Sequence, residues 1–151
     1  MGRSCMRRRY RMKEYKKSYL GFIIITLLYL AVAFAPVFIP VIQERPGAGT
    51  AWMCFATAIF VFATVFYIYK SEKIYIFSGI TYEDALKVSP EKRRNYAYLH
   101  VKKFLPCTVI LIAYSLLAYI AKLPDAVSIV LMVVVLVATA LSTNKIKLED
   151  E

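Results

Sequence analysis

Four long apolar stretches of this chain contain no Asp, Glu, Lys, Arg or His between their flanking charges. Ion-coupled carriers and proton relays usually need such a group within the membrane, because a titrating or ion-pairing site is what couples the energy. Its absence argues against a proton-coupled exporter. Imidazole is almost missing from the rest of the chain too, with His100 the single example. A nucleophile–base pair or a metal set then has little to draw on, so no catalytic, cofactor-binding or metal-ligating residue is assigned and a non-enzymatic role is expected. The three cysteines form no framework: Cys5 lies in a basic tail, while Cys54 and Cys107 fall near the starts of successive antiparallel spans, toward opposite faces. No intrachain disulfide is expected of them, and no Cys/His cluster has the spacing of a metal site.

What the chain does contain is apolar. It is 60% hydrophobic, in runs near bilayer-spanning length rather than in amphipathic stripes, which argues against a soluble globular domain. Its net charge of +10 sits beside those runs, where Lys and Arg act as topology signals. With no stacking platform or helix-turn-helix pattern to accompany the charge, nucleic acid is not expected as a partner.

Residues 1–19 carry Arg3, Arg7, Arg8, Arg9, Arg11, Lys13, Lys16 and Lys17 against the single acid Glu14, a cytoplasmic-side signal. Met12, Tyr15 and Tyr19 recur there at helical spacing, compatible with a short interfacial helix on anionic lipid. Met6 and Met12 are alternative starts to Met1. The first span covers residues 20–42, about 34 Å of helix at roughly 1.5 Å per residue. Its Ala33-Phe34-Ala35 is similar to a signal-peptidase site, but a proline follows at once and the apolar run continues. Pro36 and Pro40 deprive the carbonyls of Val32 and Pro36 of their usual donors, so the helix is expected to kink or end there. Residues 43–50 form a short turn broken by Pro46, Gly47 and Gly49.

The second span, residues 51–69, opens with Trp52 and closes on Tyr67 and Tyr69, an aromatic belt at each interface. Ala56 and Ala63, with Thr57 and Thr64 beside them, offer a close-packing face. Residues 70–103 are then the largest water-facing piece. Residues 70–77 are expected to prolong the second helix until Gly79 stops it. Thr81 caps a short helix through Val88, and Ser89-Pro90-Glu91 starts another. In that second helix Ala97, Val101 and Phe104 recur on one side, so it is expected to lie against the membrane and lead into the third span. The third and fourth spans cover residues 104–121 and 126–142, joined by a tight turn at Leu123-Pro124-Asp125.

The fold expected is therefore all-α: a polytopic integral membrane protein of four transmembrane helices in two hairpins, with a helical cytoplasmic loop between helices 2 and 3. Residues 1–19 form a basic tail and residues 143–151 a second tail. The basic excess of both termini and of the loop places all three in the cytoplasm. The general form is that of small prokaryotic four-span proteins, so a prokaryotic cytoplasmic membrane is the expected location, a likeness that implies no mechanism. The leading expectation is an accessory or scaffold subunit whose loop meets a larger membrane complex, a copy of itself or anionic lipid. Tyr82, Arg93, Arg94, Tyr96, Tyr98 and His100 are the candidate contact residues. The alternative is a small oligomeric transporter or channel for an apolar or cationic solute, built around a kink at Pro36 and Pro40.

Overall fold

The computed structural model describes residues 15–39, 42, 45–77, 79–144, 146 and 148. The tail before Tyr15, the second candidate kink residue Pro40, and Lys145, Lys147 and the acidic C-terminal residues lie outside them. The described chain is helical, with no strand among the described residues: α1 (Leu20–Phe34), α2 (Ala48–Ser71), α3 (Tyr82–Lys87), α4 (Pro90–Ala121) and α5 (Asp125–Thr143). Single 3-10 turns follow at Ala35–Phe38, after α1, and at Ile74–Ile76, between α2 and α3. Four helices, α1 with its 3-10 turn, α2, α4 and α5, are long and apolar enough to cross a membrane.

Local chemistry sets the boundaries. At the end of α1 the Ala35 N–H tightens onto the Val32 carbonyl. Pro36 stands in the 3-10 turn that follows, and Ile39 is already extended, with φ −113° and ψ 99°. The helix thus terminates at the proline rather than bending through it, because the ring brings no donor and crowds the preceding turn. The second helix stops earlier than residue 77. It ends at Ser71, with Glu72 left-handed at φ 59°. A left-handed non-glycine residue costs about 1–2 kcal/mol. What offsets it is the burial of Ile74 and Tyr75 against Ile68, Ala85 and Ala97, which a straight extension into water would forfeit; a buried isoleucine alone contributes about 1.5–3 kcal/mol.

The two caps of the insert are hydrogen-bonded. The Thr81 hydroxyl accepts from Asp84 N at 3.1 Å, and the Ser89 hydroxyl accepts from Lys92 N at 3.4 Å. From Pro90 the backbone then runs as one helix past Pro106 to Ala121. Its length, about 48 Å by helix rise, exceeds the roughly 30 Å of a bilayer's hydrocarbon core. The segment expected to lie against a membrane and lead into the third span is the first part of the same helix that carries the third apolar stretch. Tyr96 and Ala97 face the insert's own apolar residues, so this segment's apolar side is satisfied within the protein.

α2 is the central helix, packed against α1, α4 and α5. Its buried residues are mostly small, Ala48, Ala51, Cys54, Ala56 and Ala58 among them, which lets neighbouring backbones approach closely. Polar side chains stitch the interfaces: Trp52 Nε1 donates to Val32 O at 2.7 Å, Tyr29 and Thr57 hydroxyls meet at 3.1 Å, and Tyr114 and Ser128 hydroxyls at 3.2 Å. One small core gathers Ala58, Cys107 and Leu111 with Leu131, Val135 and Leu136 around them. Cys54 and Cys107 are both buried free thiols. By contrast α1 and α5 leave long apolar rows exposed, including Leu27, Leu28, Val130 and Val134.

The two ends of the bundle differ. At one, the turn before α2 meets the turn before α5: Thr50 Oγ1 donates to Asp125 Oδ1 at 2.6 Å, and Arg45 stacks on Tyr119 at 4.2 Å from the ring centroid. At the other, residues 15–19, the insert and the C-terminal Ile146 and Leu148 come together around a second, aromatic-rich core.

Candidate functional site

Arg93 organises this second end. It stands in the first turn of α4, buried, and its guanidinium Nη1 donates to the carbonyls of Ala85 at 3.1 Å and Val88 at 2.7 Å. Those carbonyls lie at the end of α3, where helix geometry leaves acceptors without partners, so Arg93 closes the short helix from outside. Its Nη2 is 3.7 Å from Glu72 Oε2, and its guanidinium carbon lies 4.1 Å from the Tyr15 ring centroid. The cation is thus held by carbonyl dipoles and an aromatic face, with one carboxylate at the edge.

Around it, tyrosines tie the segment before α1 to the insert. Tyr15 stacks on Tyr82, rings 4° from parallel, and the Tyr82 hydroxyl donates to the Tyr15 carbonyl. The Tyr15 hydroxyl donates to Glu72 O at 2.9 Å. Ser18 N–H donates to the Tyr75 hydroxyl at 2.8 Å, which donates back to Ser18 O at 3.0 Å, and Lys73 Nζ donates to the same carbonyl at 3.1 Å. Burial pushes the Tyr15 phenol up to about 12, outweighing the opposing pull of Arg93. Nearby, the Asp84 carboxyl is held below its ordinary value first by the Thr81 hydroxyl and then by Lys87.

Behind this lock lies a cavity of about 760 Å³ between α1, α2, α4, α5 and the insert. Phe22, Phe60 and Phe104 line its apolar part, and Phe77, Tyr96 and His100 its border with the polar end. The His100 ring stacks on Phe77, with centroids 4.1 Å apart. Its Nδ1 lies 3.0 Å from the Tyr96 carbonyl; a carbonyl only accepts, so Nδ1 carries a proton. The hydroxyl of Thr64, another lining residue, is buried and makes no hydrogen bond among the described residues.

On the outside of the insert is a smaller patch. Arg94 Nη2 donates to the Tyr69 hydroxyl at 3.3 Å, and Tyr69 and Tyr98 rings are 6.1 Å apart. Ser89, Glu91, Lys92 and Asn95 complete a shallow cleft beside them.

The six contact residues read from the sequence therefore fall into three environments. Tyr82 and Arg93 belong to the internal lock. Tyr96 and His100, with 8% and 5% of their surface exposed, line the cavity. Arg94 and Tyr98 are exposed. Tyr96, Tyr98 and His100 thus share no single exposed face, because successive faces of one helix point to different surroundings and two of the three are buried. His100 pairs with none of Glu83, Asp84 or Glu91 among the described contacts; a backbone carbonyl is its partner. Tyr15, Glu72, Phe77 and Thr64 carry roles that the sequence does not announce. The recurrence of tyrosine on both sides of the first two spans was the available signal for the lock, but tyrosine at a span's end reads equally as an interface anchor.

No group of three or more His, Cys, Asp or Glu side chains among the described residues is placed to hold a metal ion. Comparison with protein-family models, with curated proteins and with solved structures gives no match.

Proposed function

We propose that the protein is a small, non-enzymatic component of a cell membrane, four spans in two hairpins, with both termini and the insert in the cytoplasm. Its working part is the folded polar end, which docks on a larger membrane complex through the exposed patch of Tyr69, Arg94 and Tyr98. The observation that carries this reading is the lock itself. Arg93, Tyr15, Tyr75 and Tyr82 hold the pre-span segment, the insert and the first turn of α4 as one body, whereas at the opposite end the sequence supplies only two short connections between apolar runs. A rigid, basic and aromatic surface on a preorganised support is what a docking subunit needs, since Tyr and Arg concentrate binding energy at interfaces and rigidity lowers the cost of association. An orientation with Lys and Arg inside agrees with it.

The test is affinity purification of the full chain in mild detergent, comparing wild type with an Arg94→Glu, Tyr98→Ala double variant. Both side chains are exposed, so folding is expected to survive. The reading expects a defined complex with the wild type and its loss in the variant. Unchanged co-purification and unchanged localisation would retire the patch as a docking surface. Binding only to vesicles containing phosphatidylglycerol, or cross-linking only to a second copy, would move the partner to anionic lipid or to the chain itself.

A further inference from the structure

Thr64 is an exception among the threonines. Thr26, Thr108 and Thr139 each donate to the carbonyl four residues earlier, at 2.9, 3.0 and 2.7 Å, which is how a helix in an apolar setting satisfies a hydroxyl. Thr50, Thr57, Thr81 and Thr143 are likewise hydrogen-bonded. Alone among the described threonines, Thr64 has its Oγ1 buried without a partner, as Ser71 Oγ and Arg93 Nε also are, and of these three residues Thr64 lines the cavity. A buried hydroxyl left without a bond costs about 1–3 kcal/mol. A threonine in a helix has two accessible rotamers because its hydroxyl can bond the carbonyl three or four residues back; Thr64 makes no such bond here, so its hydrogen-bonding capacity is unspent.

The cavity has the size and lining of a small-molecule site. Its roughly 760 Å³ falls within the range of about 300–1,000 Å³ typical of ligand pockets, which are mostly apolar with a few polar groups. Phe22, Phe60 and Phe104 come from the apolar stretches, while His100 and Asn144 stand where those stretches give way to the polar end. None of the described lining residues is charged at neutral pH apart from the imidazole's own titration. An ionised head group set there would lose its hydration and meet no counter-charge among the described lining residues, at a cost of several kcal/mol.

We propose that this cavity binds a neutral amphiphile, an apolar chain or ring system bearing one uncharged hydroxyl or carbonyl head, with the head against Thr64 and His100 and the body against the phenylalanines. The Thr64 hydroxyl donates to, or accepts from, that head. Phe77, stacked on His100, forms the wall between the ligand head and the insert. The site is independent of the docking patch, since neither Arg94 nor Tyr98 lines the cavity.

The experiment uses the full chain in detergent micelles and a diazirine-bearing long-chain alcohol as photoprobe, with the corresponding fatty acid as the charged counterpart. The site expects saturable labelling that maps to the segments holding Thr64, Phe77 and His100 and is displaced by excess of the same alcohol without the diazirine. Thr64→Val should weaken apparent binding about fivefold, the worth of one neutral hydrogen bond. Ala140 lines the cavity from the exposed helix α5, so Ala140→Trp should fill the space and abolish labelling without disturbing the lock. The Arg94→Glu, Tyr98→Ala variant should label like wild type. Labelling that does not saturate, that spreads along α1 and α5 away from Phe22 and Ala140, or that survives Ala140→Trp overturns the proposal. Equal or tighter labelling by the fatty acid overturns its neutral head.

Discussion

Arg93 does for the polar end what a hydrophobic residue does for a core, and its chemistry explains why no other side chain would serve. Two carbonyls, a carboxylate edge and an aromatic face meet one planar cation. Arg93→Ala would leave the Ala85 and Val88 carbonyls without that donor and remove the face on which Tyr15 rests. The expected loss is about 2–4 kcal/mol of the polar end's stability, read as faster hydrogen exchange over residues 72–88. Arg93→Lys should recover little of it, because a point-like ammonium has no fork and no flat face; protection equal to wild type would show that charge alone suffices. Tyr15 gives a second test. Its phenol is raised from 10.0 to about 12, so the folded state prefers the neutral ring. The stability that this contributes is present in full below pH 10 and is lost as pH rises toward 12. The phenolate absorbance lost between wild type and Tyr15→Phe should therefore titrate near pH 12. A difference that titrates near pH 10 would assign the shift elsewhere. Arg93 and Tyr15 also mark where residue-level reading stops. The sequence shows both as members of basic, aromatic flanks, but their meeting needs a contact between residues 78 positions apart, which no local period encodes.

At the level of elements, local chemistry was more legible. Thr81, Ser89 and Pro90 announce helix starts by type and spacing, and the structure supplies their hydrogen bonds. The four apolar runs likewise announce helices, and each is one. What escaped is how far α2 runs, to Ser71 rather than residue 77. This follows from burial of Ile74 and Tyr75 against Ile68, Ala85 and Ala97, a tertiary effect that overrides propensity. The turn before α2 offers a clean comparison. Gly47 has φ 75°, and a Cβ there would stand 2.5 Å from the Leu123 carbonyl oxygen, whereas a Cβ on Gly49 would meet nothing within 4 Å. Gly47→Ala combines left-handed strain of about 1–2 kcal/mol with a backbone clash against the opposite turn. Gly49→Ala, inside α2, should be neutral or stabilising by up to about 1 kcal/mol. Thermal unfolding in detergent should separate the two clearly. If Gly47→Ala melts with the wild type, the packing of the two turns against each other is wrong.

For the whole molecule, the decisive quantity is which polar parts share a side. The segment before α1 bonds to the insert through Ser18, Tyr75 and Lys73, and Ile146 and Leu148 pack on the same core. The two turns at the far end bond to each other. A membrane placed across the four apolar helices must then separate these groups, and the proposed orientation, argued from the basic excess of the tail and insert, puts the first of them in the cytoplasm. In a cysteine-free background, Lys87→Cys on the exposed face of α3 and Pro46→Cys in the far turn report the two sides. With intact cells and a membrane-impermeant maleimide, Pro46→Cys should label from outside, and Lys87→Cys only after the membrane is opened. The reverse pattern would keep the hairpins and invert the protein, removing the proposed docking patch from the cytoplasm. Labelling of both from one side would be more severe. It would mean that the apolar helices do not cross as pairs, and that the exposed rows on α1 and α5 are covered by something other than lipid.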